Sequence, residues 1–177
     1  MFTTREEIVA LLTELGARLD ARGLEIEVYL VGGAAMLLGF DRLAVTRDID
    51  ALIAPPGVVD DVVAQMATDH GNLPPDWLND RVVPLLPRIA DAGRWEVLNI
   101  PGITVQVASP QHLLAMKLRA ARGIRDLQDV AVLCDVMNLA TLDEVWDIAH
   151  HVWGADLIPA EVKATVNEYL LTRGLRD

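Results

Sequence analysis

Apolar residues along this chain recur in two periods, and the change from one to the other marks out its elements. Ile8, Leu11, Leu12, Leu15 and Leu19 fall at helical spacing after Thr4-Arg5-Glu6-Glu7, a capping-box signature, and predict a first helix that runs to Gly23. Ile26, Val28 and Leu30 then alternate with Glu27 and Tyr29, which predicts a strand running directly into Gly32-Gly33 and a short apolar helix. After Phe40 a polar, basic loop leads to a second strand, Asp48 to Ala54, closed by Pro55-Pro56-Gly57. Val58, Val59, Val62, Val63 and Met66 return to helical spacing and end near His70-Gly71.

Pro74, Pro75, Pro84 and Pro87 interrupt the next stretch, leaving room only for a short helix around Trp77 to Arg81. Arg94 to Asn99 and Ile103 to Ala108 read as an antiparallel hairpin turned by Pro101-Gly102. Ser109-Pro110 is a helix start, with a side-chain cap followed by proline in the first turn. Apolar stripes then predict helices over Gln111 to Arg122, Leu127 to Met137, Leu142 to Trp153 and Ala160 to Leu171. The expected fold is mixed α/β (α+β): a small mixed sheet flanked by helices over residues 1–108, followed by a helical C-terminal part over 109–177.

Composition narrows the picture. Of 177 residues, 52% are apolar and 23% charged, the balance of a folded globular chain. The longest nearly uncharged run, Val28 to Phe40, is too short for a bilayer and is broken by glycines, and MFTTREE carries no secretion signal, so a cytoplasmic location away from membranes is expected. Cys134, the single cysteine, lies in an apolar helical pattern and reads as a buried thiol. A net charge of -11 argues against a broad nucleic-acid surface while leaving room for a local basic patch.

The chemistry concentrates between Tyr29 and Ala54. Gly32 and Gly33 allow close backbone approach at the start of a helix, where free N–H groups suit an anion. Strand alternation places Asp48 and Asp50 on one face, about 7 Å apart along the backbone, while Ile49 turns to a core. Two such carboxylates suit a magnesium ion that keeps water and substrate phosphates as its other ligands. The residues also allow a plainer reading, in which Arg42 or Arg47 balances the two acids. His150 and His151 point about 100° apart on their helix and lack a third ligand, and His70 and His112 stand isolated. Trp77, Trp95, Trp146 and Trp153 read as core or interface anchors.

VGGAAMLLGF followed by TRDIDALI, and then SPQHLLAMKL and RGIRDLQDV, resembles the polymerase-β-type nucleotidyltransferase superfamily and, within it, the AbiEii-like and MenT-like enzymes of toxin–antitoxin systems. The resemblance covers roughly residues 31–133. It implies that Gly32 and Gly33 hold the nucleotide triphosphate, that Asp48 and Asp50 hold Mg2+ or Mn2+, that Lys117 meets the phosphates, and that Asp126 is a further active-site carboxylate, while Arg42 and Arg47, which flank the aspartates, could bind a triphosphate or an acceptor backbone. Where many members of the superfamily carry a third metal-binding carboxylate, the hairpin strand here offers Gln106. Taken from the residues alone, Lys117 could also be a solvated lysine, Asp126 a helix cap, and Asp129 a first-turn acid that complements the helix dipole.

The implied activity is transfer of a nucleoside monophosphate from an NTP to an acceptor hydroxyl. Transfer RNA is a possible acceptor, and an antitoxin protein a possible partner. Two alternatives stand beside it: a small-molecule, antibiotic-type adenylyltransferase, suited by the acidic charge, and a catalytically silent binding or antitoxin module on the same fold.

Overall fold

The computed structural model describes residues 2–40, 46–121, 123–154 and 157–177. These residues divide into two compact units, Met1–Leu85 with Arg94–Ala108, and Leu86–Gly93 with Ser109–Asp177.

The first unit is built on a five-stranded sheet of order β3-β2-β1-β5-β4. Its strands are β1 (Ile26–Leu30), β2 (Ile49–Ala54), β3 (Leu78–Asn79), β4 (Trp95–Ile100) and β5 (Ile103–Val107), and its helices α1 (Arg5–Asp20), α2 (Gly32–Phe40) and α3 (Asp60–His70). β1 runs antiparallel to β2 and parallel to β5, and β4 and β5 form the expected hairpin, so the sheet is mixed.

Alternation decides which face is core. Ile26, Val28 and Leu30, Ile49, Ala51 and Ile53, and Ile103, Val105 and Val107 are all buried. The helices α1 and α2 lie on this side: Gly16 of α1 leaves no room for a Cβ beside Ile103, and Gly39 of α2 meets Val107 and Trp95. The Pro101-Gly102 turn is fixed by the same packing. Gly102 has φ +84°, and any Cβ there would overlap the α1 backbone at Gly16. Glu27, Tyr29, Asp50, Leu52, Thr104 and Gln106 alternate out of the core onto the opposite face, where Leu52 is 41% exposed.

The capping box at α1 forms as the sequence predicts: the Thr4 hydroxyl accepts from the Glu7 N–H, and the Glu7 carboxylate accepts from the Thr3 and Thr4 N–H groups. Two expectations fail. The strand expected from Asp48 begins one residue later, at Ile49. The short helix expected around Trp77 to Arg81 is instead the edge strand β3, because the Trp77 indole is completely buried, donates to the Val63 carbonyl, and draws Leu78 and Asn79 into register with Ile49 and Asp50. Tertiary packing outweighs local propensity here.

The second unit is helical: α4 (Pro110–Ala120), α5 (Ile124–Met137), α6 (Leu142–Trp153) and α7 (Ala160–Thr172). Ser109 caps α4 by accepting from the His112 N–H, with Pro110 in the first turn. α4 ends at Ala120; Arg122, to which the helix was expected to extend, lies outside the described residues. Leu113, Leu114, Leu118, Val130, Leu133, Val145 and Val166 form the apolar centre, and the Trp153 indole donates to the Ala115 carbonyl. Among the described residues no helix is long and apolar enough to cross a membrane.

Candidate active site

In the sheet unit the glycine turn and the aspartate segment meet. α2 starts at Gly32 itself, directly after β1 and Val31, so the first N–H groups of the helix emerge beside the start of β2. Gly32 has φ +64°, a left-handed conformation that favours glycine, and an added Cβ would lie 3.3 Å from Asp50 Oδ2. The Asp50 carboxylate is therefore held at the entrance of α2, and the Val31 N–H donates to the Asp50 carbonyl.

The second glycine does different work. A Cβ on Gly33 would sit 2.8 Å from Thr46 Oγ1, and the Thr46 hydroxyl in turn donates to the Asp48 carbonyl at 2.8 Å. Thr46 is buried and is paired through both main-chain groups with Phe2, whose ring is also buried. The segment entering Asp48 is thus gripped from two sides, by α2 and by the N-terminal residues. Reading by residue type missed Thr46 and Phe2; a threonine two residues before an acidic motif, able to close a local hydroxyl-to-carbonyl bond, was the available signal.

Asp48 and Asp50 are both half-buried. Arg47 is exposed, and its charge helps to hold the Asp76 carboxyl below its ordinary pKa, after the larger effect of the hydrogen bond from the Arg81 guanidinium. Arg42 lies outside the described residues. Two oxygen-donating carboxylates flanking a glycine-opened helix start are a donor set that fits Mg2+ or Mn2+, with water and phosphate oxygens completing the shell. Among the described residues no group of three or more His, Cys, Asp or Glu side chains is arranged to hold a metal, so the fit is that of a two-carboxylate site.

Gln106 stands on the outward face of β5, between Tyr29 of β1 and Glu96 of β4 in register, and its side-chain oxygen accepts from Arg94 Nε at 2.7 Å. Glu96 is the carboxylate nearest this position along the sheet, but it stands three strands from β2. At about 4.8 Å per strand it is too far to share a cation with Asp50.

In the helical unit Lys117 is no solvated lysine. Its Nζ lies 2.8 Å from Asp129 Oδ2 and 3.1 Å from Asp126 Oδ1. The plainer readings of these acids, as a cap and a first-turn acid, need correction. α5 begins at Ile124 with Gly123 as its uncapped start, so Asp126 lies within the first turn and is not the cap. Asp129 is buried one turn further on, because it points at Lys117 and not at the exposed helix start.

His112 is not isolated either. It is buried with Nδ1 3.4 Å from Asp91 Oδ1 and from Ser109 Oγ, and Nε2 3.3 Å from the Ile89 carbonyl. Asp91 also accepts from the Ser109 and Gly93 N–H groups, so this cluster ties the 86–93 segment to the start of α4. His70 pairs with Glu14 at 2.8 Å, and His150 and His151 are exposed. Burial pushes the Cys134 thiol up to about 12, which leaves it protonated and inert at neutral pH.

A family model described as a nucleotidyltransferase of unknown function (DUF6036) matches residues 6–160. Comparison with curated proteins gave no match, and comparison with solved structures gave none.

Proposed function

The chain belongs to this nucleotidyltransferase family, and from that premise we propose that it transfers a nucleoside monophosphate from an NTP to an acceptor hydroxyl and releases pyrophosphate. The observation that carries this reading is the convergence of Asp50 and the Gly32 start of α2, with Asp48 tethered beside them through Thr46. A divalent cation bound by Asp48 and Asp50 would neutralise charge developing on the phosphoryl group and the leaving pyrophosphate. The protein's own groups do the positioning. The first N–H groups of α2 face the phosphates, Gly32 and Gly33 keep side chains out of their way, and Arg47 supplies positive charge; by the motif resemblance, Lys117 is a further phosphate-binding group. Asp126 is the carboxylate proposed to serve the acceptor hydroxyl, in a protein whose β5 offers only Gln106.

The specific reading is a toxin of the AbiEii-like or MenT-like kind, acting in the cytoplasm on tRNA or another macromolecule and restrained by an antitoxin protein; it rests on the motif resemblance. The net charge of -11 favours a second reading, a cationic small-molecule acceptor of the antibiotic type. A third, that of a silent binding module, predicts no turnover at all. Incubation with Mg2+ or Mn2+ and labelled NTPs, offered tRNA, protein or aminoglycoside acceptors, separates them. Label on tRNA supports the toxin, label on the drug supports the second reading, and no label on any acceptor, with Asp48→Ala silent in growth assays, overturns the enzyme.

A further inference from the structure

The two carboxylates that meet Lys117 are not equivalent. Asp126 and Asp129 lie three residues apart on one face of α5, so both reach the same ammonium. The Asp129 side chain is 2% exposed and makes the shorter contact, whereas Asp126 is 24% exposed. Their backbones differ as well. Asp126 lies in the first turn of α5, which starts at Gly123 without a side-chain cap and with Ile124 61% exposed. Asp129 lies a turn further in, between the buried Leu127, Val130 and Ala131. A buried carboxylate separated from its cation is strongly disfavoured, while one at a softer, wetter helix start can exchange partners.

We propose that Asp129 is the positioning residue for Lys117, and that Asp126 is the partner that gives way when a substrate phosphate oxygen takes its place on the ammonium. The inference rests on the reading of Lys117 as a phosphate-binding residue. The ammonium has three N–H donors, and a substrate phosphate oxygen competes for the one that Asp126, the more exposed and more distant carboxylate, accepts. With Asp126 released, Lys117 and Asp129 form a neutral pair that still offers N–H donors. Lys117 is then delivered to the phosphates from a fixed base, without having to be ordered at each turnover.

Lys117 and Lys163 are the only lysines in the chain, so acylation of the intact protein, read by peptide mass spectrometry, reports on Lys117 against an internal reference. The expected result is that Asp129→Asn speeds Lys117 acylation roughly tenfold relative to Lys163, while Asp126→Asn leaves it near the wild-type rate. In calorimetry with Mg2+ and NTP, Asp129→Asn weakens NTP binding by roughly 10- to 100-fold and Asp129→Glu recovers part of the loss. Asp126→Asn does not weaken it, whatever it does to turnover. If Asp129→Asn lowers the melting temperature but leaves both the acylation ratio and the NTP affinity of the folded fraction unchanged, Asp129 is only structural and the proposal is overturned. If Asp126→Asn weakens NTP binding as much as Asp129→Asn, the assignment of roles is overturned. If the wild type binds no NTP, the phosphate reading fails with the exchange step, while the acylation ratio still decides whether Asp129 anchors Lys117.

Discussion

Gly32 and Gly33 are adjacent and chemically identical, yet they are required for different reasons, and substitution should separate them. At Gly32 an alanine would have to adopt φ near +64° against the Asp50 carboxylate, a backbone cost of about 1–2 kcal/mol in addition to the contact. At Gly33 there is no such strain; the obstacle is Thr46, whose Cβ and Oγ1 lie within 2.9 Å of the site of an added methyl. Gly33→Ala is therefore expected to destabilise by about 1–3 kcal/mol in thermal melts, and pairing it with Thr46→Ala, which removes the contacting Oγ1, should cost less than the sum of the two single losses. Gly32→Ala should show no such coupling to Thr46→Ala. Cys134 tests burial at the same scale. Its thiol should resist a neutral-pH disulfide reagent in the folded protein and react fully in denaturant, since unfolding returns it to the ordinary thiol range.

Helix starts carry the next layer of stability. Glu7 is held below the usual carboxylate range first by the Thr3 N–H and then by the Thr4 N–H, and Glu144 likewise by Ala140 and Thr141. A carboxylate whose folded value is depressed contributes stability that is fully present above its unfolded value and disappears as pH falls through the folded one. Melting temperatures should therefore drop as pH falls below about 4.3, and Glu7→Gln and Glu144→Gln together should make the curve shallower in that window while lowering it at pH 7. Thr141→Ala, which removes the hydroxyl cap of α6, should cost about 1 kcal/mol at neutral pH. The start of α1 was legible in the sequence because a capping box is a local code: Thr4 and Glu7 need nothing beyond their own turn, and the same code at Thr141 and Glu144 went unread. What was not legible depends on distant residues. Leu78 and Asn79 became an edge strand only because Trp77 is buried against α3, and Asp129 became a lysine partner only because α4 lies against α5. The Asp48–Asp50 pair was readable by alternation, but its tether was not, since Phe2 and Thr46 pair across more than forty residues of chain.

For the whole molecule, the proposed cation site can be tested before any acceptor is known, because an ion that binds the folded chain and not the unfolded one must stabilise it. By mass action the gain is about 2.7 kcal/mol when the free ion reaches a hundred times its dissociation constant. The chain carries a net charge of -11, so any divalent salt will also raise its melting temperature by relieving self-repulsion. The difference between chains isolates the site. Wild-type protein titrated with MgCl2 or MnCl2 at constant ionic strength should gain stability logarithmically once the site begins to fill, whereas Asp48→Asn and Asp50→Asn should retain only the shallow, general response. Asp61→Asn, on α3 in the same unit, removes the same charge away from the aspartate segment and should behave as wild type. If all four proteins respond alike, the two aspartates hold no cation. A response lost in both aspartate variants and kept in Asp61→Asn would place the ion at Asp48 and Asp50 by a measurement that involves neither nucleotide nor turnover.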